Sequence, residues 1–96
     1  MNRSDLIDKL AEEKSISNAV AEAIVLEIFA SMTETLIAGG RIEIRGFGSI
    51  ENRDYNGYSG RNPKTGLEVT VKPKKLPFFK VGKELKERIM NPKNPR

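Results

Sequence analysis

The apolar positions of the first forty residues recur at helical spacing. Leu6, Ile7, Leu10 and Ala11 share one face of a short segment, which predicts a helix with Ser4 as its N-cap, Asp5 in its first turn and an end near Lys14. Ser15 to Ser17 form the break. A second helix, capped by Ser17 or Asn18, should run to about Ala38, where Gly39-Gly40 stops it. Its apolar set is doubled, with Val20, Ile24, Ile28, Met32 and Leu36 in one stripe and Val25, Phe29 and Ile37 on a second face. That is wider than one packing partner requires. The first helix and a sheet can cover one surface, and the same helix of a second chain is expected to cover the other.

After Gly40 the period changes to two. Arg41-Ile42-Glu43-Ile44-Arg45 alternates, so Ile42 and Ile44 fall on one face of a strand and Arg41, Glu43 and Arg45 on the other. Gly46-Phe47-Gly48 interrupts the alternation at a bulge or tight hairpin, and Ile50 resumes it. Phe47 and Ile50 are expected core residues. From Asp54 to Lys75 the chain has too few apolar residues to pack. Its turn formers Gly60, Asn62-Pro63 and Gly66 make a hairpin tip, and Leu67-Glu68-Val69-Thr70-Val71-Lys72 alternates like a strand with one open face. The segment predicts an extended two-stranded arm of about ten residues a side, reaching roughly 30 Å, enough to follow a groove of duplex DNA. Leu76 to Lys80 resumes an apolar strand, Lys83 to Met90 a short helix, and residues 91–96 should be frayed. The expected fold is α+β: an N-terminal helical hairpin, an antiparallel sheet with a protruding β-ribbon arm at about 54–75, and a short C-terminal helix, all in one domain spanning 1–96.

Composition narrows the chemistry. The chain has 96 residues, no Cys and no His, so disulfides are excluded and zinc or iron sites are disfavoured. A core this small then calls for burial against a second subunit. Net charge is +4 but segregated. Residues 1–40 carry three basic and seven acidic side chains, a net of −4, whereas residues 41–96 carry fourteen and six, a net of +8. A basic half of this kind suits a polyanion, nucleic acid first of all. The charged N-terminus lacks the apolar stretch of a secretory signal and no run approaches membrane-spanning length, so a cytoplasmic location is expected. With no nucleophile elbow, no phosphate-binding glycine loop and no carboxylate pair at a strand end, no enzyme activity, cofactor or small-molecule substrate is expected. Glu43 and Glu51, among arginines, are expected salt-bridge residues.

Three segments carry a family resemblance: Gly46-Phe47-Gly48-Ser49, Gly60-Arg61-Asn62-Pro63-Lys64-Thr65-Gly66, and Phe79-Lys80-Val81-Gly82-Lys83-Glu84-Leu85. Together they resemble the HU and integration host factor family of bacterial DNA-bending proteins, in order and over nearly the whole chain. Arg41 to Ser49 looks more like the integration host factor beta subunits than like HU. The resemblance implies an intertwined dimer, with itself or with a paralogous subunit, in which strands form a saddle and two arms embrace the minor groove of nucleoid DNA. Pro63 would be an inserted wedge, a mode of kinking for which this family is a standard example. Arg61, Asn62 and Lys64 would lie beside it in the groove or on phosphates. Lys80, Lys83 and Lys86 would contact the DNA backbone, giving affinity without sequence information. Arg45 and Glu43 match positions used for sequence preference, and Arg53, Lys72, Lys74 and Lys75 complete the expected DNA-binding set. The chain departs from the family at Arg53-Asp54-Tyr55-Asn56-Gly57-Tyr58-Ser59, where relatives carry a basic run. Two rival readings are an RNA-binding protein, and an interaction protein whose basic arm binds an acidic partner. RNA recognition usually displays aromatics for base stacking, whereas the phenylalanines here are expected in the core.

Overall fold

A computed structural model describes residues 1–92 and shows two compact units, Met1–Ala38 and Gly39–Arg96. The first is a helical hairpin of α1 (Arg3–Lys14) and α2 (Asn18–Ile37). The N-cap of α1 is Asn2, not the expected Ser4. The Asn2 side chain accepts the Asp5 N–H at 2.8 Å, and the Asp5 carboxylate accepts the Asn2 N–H at 3.0 Å. This reciprocal capping box satisfies two amides that the start of a helix otherwise leaves unpaired, so the helix begins earlier. Its end is a left-handed Ser15, after which the Ile16 N–H reaches back to the Ala11 carbonyl at 3.0 Å. Ser17 caps α2 through its hydroxyl, which accepts the Val20 N–H at 3.2 Å. Asn18 instead ties the two helices together, its amide donating to Asp8 at 2.9 Å.

The contact between these helices is thin. Ala11, Ala21 and Val25 are the only buried hydrophobic residues among those described. Val20, Ile24 and Ile28 remain about half exposed along one side of α2, and Leu26 and Phe29 on another. The doubled apolar set expected from the sequence is therefore present and largely uncovered in a single chain.

The second unit holds five strands and a helix: β1 (Ile42–Ile44), β2 (Gly48–Tyr55), β3 (Tyr58–Arg61), β4 (Glu68–Val71), β5 (Lys74–Val81) and α3 (Lys83–Met90). β1, β2 and β5 form an antiparallel sheet in the order β1-β2-β5, and β3 and β4 form a separate two-stranded ribbon. Ile42 faces Ile50, which faces Phe79, and Ile44 faces Gly48, which faces Val81. Strand alternation puts these on one apolar face. The rows Glu43-Ser49-Lys80, Glu51-Phe78, Arg53-Leu76 and Tyr55-Lys74 make up the opposite, charged face.

Three expectations need correction here. Arg45 is not on the strand face but in the turn that joins β1 to β2, where the Phe47 N–H donates to the Ile44 carbonyl at 3.0 Å. Phe47, expected in the core, shares that turn and is 47% exposed, with its ring against Phe79 at 5.5 Å between centroids. The arm is not one continuous ribbon either. Pairing stops at Asn56-Gly57 and Lys72-Pro73, because Pro73 has no N–H to donate. Register survives the gap: Tyr55 faces Lys74 on one side of it and Tyr58 faces Val71 on the other. α3 ends at Met90 with Asn91 as its C-cap, and of residues 91–96, expected to be frayed, residues 93–96 lie outside those described.

Candidate nucleic-acid interface

The charged face is organised by Arg41. Its guanidinium meets Glu43 at 2.9 Å and Glu51 at 3.5 Å, so both carboxylates of this face are committed to one arginine. Arg45, Lys80 and Lys83 line the same shallow groove as Arg41 and Glu43, and they supply its positive field. Arg41 was absent from the expected site. The alternation of residues 41–45 had placed it on this face, but its two ion pairs depend on which residues of β2 lie opposite.

The turn that carries Arg45 is fixed to the helix that carries Lys83. The Gly82 N–H donates to the Phe47 carbonyl at 2.9 Å, Gly82 is the N-cap of α3, and Phe47 packs on Phe79. Lys83 and Lys86 follow in the first turns of α3, three apart and both exposed, so they project from neighbouring positions on that helix.

At the root of the arm the expected cations divide between the two faces. Arg53 and Lys74 are on the charged face. Lys75 is on the other, opposite Asp54, with 3.9 Å between ammonium and carboxylate. Both partners of that pair are mostly exposed, so it contributes little to stability, but it places an anion beside a cation that DNA could use. Because the register is unbroken, strand parity carries through the gap. Lys72 and Arg61 then occupy positions on the same side as Arg53 and Lys74.

The distal ribbon has two unlike faces. Tyr58, Gly60, Val69 and Val71 share one; Ser59, Arg61, Glu68 and Thr70 share the other, where Arg61 lies directly opposite Glu68. The loop from Asn62 to Leu67 is built by Asn62. Its N–H donates to the Leu67 carbonyl and its own carbonyl accepts the Gly66 N–H, both at 2.7 Å. Its side-chain oxygen accepts the Lys64 N–H at 2.9 Å, and the Thr65 hydroxyl accepts the Leu67 N–H at 3.3 Å. Gly66 closes the loop at φ 72°, a left-handed conformation in which a β-carbon would be strained. Asn62 is thus engaged within the loop. Pro63 and Lys64 are left at its apex, in a stretch from Arg61 to Thr70 that is exposed throughout.

Among the described residues no cluster of side chains is arranged to hold a metal ion, and no helix is long and apolar enough to cross a membrane.

Comparison with known proteins matches this arrangement. A family model described as bacterial DNA-binding protein matches residues 1–90. The chain is 49% identical over 90 residues to integration host factor subunit beta of Shewanella halifaxensis, covering 93% of this chain and 95% of that one. It is 42% identical over 89 residues to the DNA-binding protein HU-beta of Serratia marcescens, covering 93% and 99%. Among solved structures, a cocrystal of Anabaena HU with DNA superposes with a TM-score of 0.84 at 32% identity, covering 96% of this chain and 100% of that chain. HU from Thermotoga maritima superposes with a TM-score of 0.63 at 29% identity, covering 93% and 98%.

Proposed function

Because this chain belongs to the bacterial DNA-binding protein family, that of HU and integration host factor, we propose that it is an architectural protein that bends duplex DNA by laying its arms in the minor groove and inserting Pro63 between base pairs. The observation that carries this reading is the arm tip. A rigid apolar ring stands at the exposed apex of a two-stranded ribbon, on a loop held by its own hydrogen bonds, with Arg61 and Lys64 on either side.

The physics runs from tip to body. A proline ring loses little conformational freedom when it is inserted, so most of its contact energy is available to offset unstacking. Unstacking costs a few kcal/mol per step and is recovered only when the bent duplex gains contacts elsewhere. Lys80, Lys83 and Lys86, with Arg53, Lys72, Lys74 and Lys75 along the arm, are placed to give those contacts as phosphate neutralisation. Arg45, held in its turn beside the Arg41–Glu43 pair, and Glu43 itself are the residues we assign to sequence preference.

Residues 1–96 act as one domain that is complete only as a dimer. The half-exposed apolar sides of α2 support this, since they need a second chain to bury them. The partner is a second copy or a paralogous subunit, and the setting is the nucleoid in the cytoplasm. Anabaena HU, a relative solved in a cocrystal with DNA, supports DNA as the ligand.

Competition among duplex DNA, duplex RNA and single strands tests the reading, together with energy transfer between dyes at the two ends of a DNA duplex. Preferential binding of duplex DNA with end-to-end shortening is expected. Equal or better binding of RNA or single strands, or DNA binding without shortening, would overturn it.

A further inference from the structure

We propose that Phe78 is a positioning residue that holds Arg53 ready for a backbone phosphate at the root of the arm. The inference rests on the reading that duplex DNA lies along the charged face of the sheet.

Phe78 is out of place by packing logic. Its neighbours in sequence on β5, Pro77 and Phe79, fall on the apolar face, and strand alternation puts the Phe78 ring among charges, opposite Glu51. Arg53, opposite Leu76, is its diagonal neighbour on that face. The guanidinium carbon lies 3.4 Å above the centre of the Phe78 ring. The ring therefore serves the arginine, by a stacked cation–π contact.

The nearby carboxylates are engaged with other cations. Glu51, on the same face, is 3.5 Å from Arg41, and Asp54, on the opposite face, pairs with Lys75. A flat guanidinium stacked on a ring uses only its face in that contact. Its N–H donors point outward along the edge, in the fork that fits two phosphate oxygens. Stacking and phosphate binding can therefore occur together, and the stack removes in advance part of the rotamer freedom that binding would otherwise cost. Lysine could not do both.

Position adds to this. Arg53 is on the charged side that also carries Lys80 toward the body and Lys74 toward the arm, where Tyr55 presents a phenol rather than a charge. It bridges the positive field of the groove to that of the ribbon.

The test is binding to a duplex of about 30 base pairs across a salt series, using the full chain with Arg53→Ala, Phe78→Leu, Phe78→Tyr and the double substitution Arg53→Ala with Phe78→Leu. Thermal unfolding checks that each variant folds, and Phe78→Tyr, which keeps the ring, guards against a purely structural effect. Arg53→Ala should lower the slope of log affinity against log salt by about 0.9, one phosphate contact. Phe78→Leu keeps the charge, so it should leave the slope unchanged while weakening binding about two- to tenfold at every salt concentration, the cost of ordering an arginine that the ring no longer holds. Phe78→Tyr should bind like the parent, and the double variant should be no weaker than Arg53→Ala alone. An unchanged slope for Arg53→Ala, or additive losses in the double variant, would overturn the inference while the parent chain still bound DNA in a salt-dependent way. Salt-insensitive binding by the parent would instead remove the reading on which it rests.

Discussion

Gly57 and Pro73 meet across the joint of the arm so closely that a β-carbon on Gly57 would lie 2.8 Å from Cδ of Pro73. It would also collide with the Val71 carbonyl oxygen. The joint is therefore a close packing of glycine against proline between two stretches of ladder that keep one register. Gly57→Ala should force the two sides apart and change the direction in which Pro63 is presented. The expected outcome is a smaller bend, measured by energy transfer between duplex ends, with the melting temperature of the protein nearly unchanged because the arm contributes little to its core. A parental bend would show that the arm tolerates any geometry at this point.

Tyr58 lies alongside Gly60 on one face of the distal ribbon, with its ring carbons 3.8 and 3.9 Å from where a β-carbon on Gly60 would stand. An aromatic ring placed beside a glycine compensates for the missing side chain and stiffens the strand pair. Tyr55 stands on the charged face opposite Lys74. Tyr55→Arg should therefore tighten DNA binding at low salt and steepen the salt dependence by about 0.9. Tyr58→Arg should gain less, because the added charge comes with the loss of the ring beside Gly60. Weaker binding by both variants at every salt concentration would mean that the tyrosines are themselves contacts.

Pro63→Ala leaves Arg61 and Lys64 in place, and the loop bonds made by Asn62, Thr65 and Gly66 do not involve the Pro63 side chain. Affinity for straight duplex should therefore change little while the bend angle falls. The comparison is best made on duplexes with and without a preformed kink, since a substrate already bent needs no unstacking and the difference in bend angle should vanish there.

Ile28 and Phe29 are 52% and 44% exposed in the single chain. In a folded monomer, changing one such residue to aspartate would cost little, because surface substitutions usually stay within about 0.5 kcal/mol. If a second chain covers α2, Ile28→Asp or Phe29→Asp buries an unpaired carboxylate in the interface and should abolish folding altogether. Circular dichroism with sedimentation at micromolar concentration separates the cases. A folded monomer from either variant would exclude an obligate dimer.

Local rules were enough to set much of this protein. Ser17 and Gly39-Gly40 bound α2, the alternation at Arg41 to Arg45 marks β1 and its charged side, and Asn62, Pro63 and Gly66 specify the tip, because caps, strand parity and turns depend on residues a few positions apart. Even there the reciprocal use of Asn2 and Asp5 outweighed Ser4, since two bonds formed together beat a single cap. What needed the tertiary structure is everything set by which residue of β5 lies opposite which of β2. That register puts Phe78 under Arg53, Asp54 beside Lys75 and Pro73 against Gly57, and it leaves Phe47 at the sheet edge instead of in the core. Such pairs are more than twenty residues apart in many cases, and a slip of one position would have moved every side chain to the other face. Sequence periodicity names the faces, but only strand pairing decides who shares them.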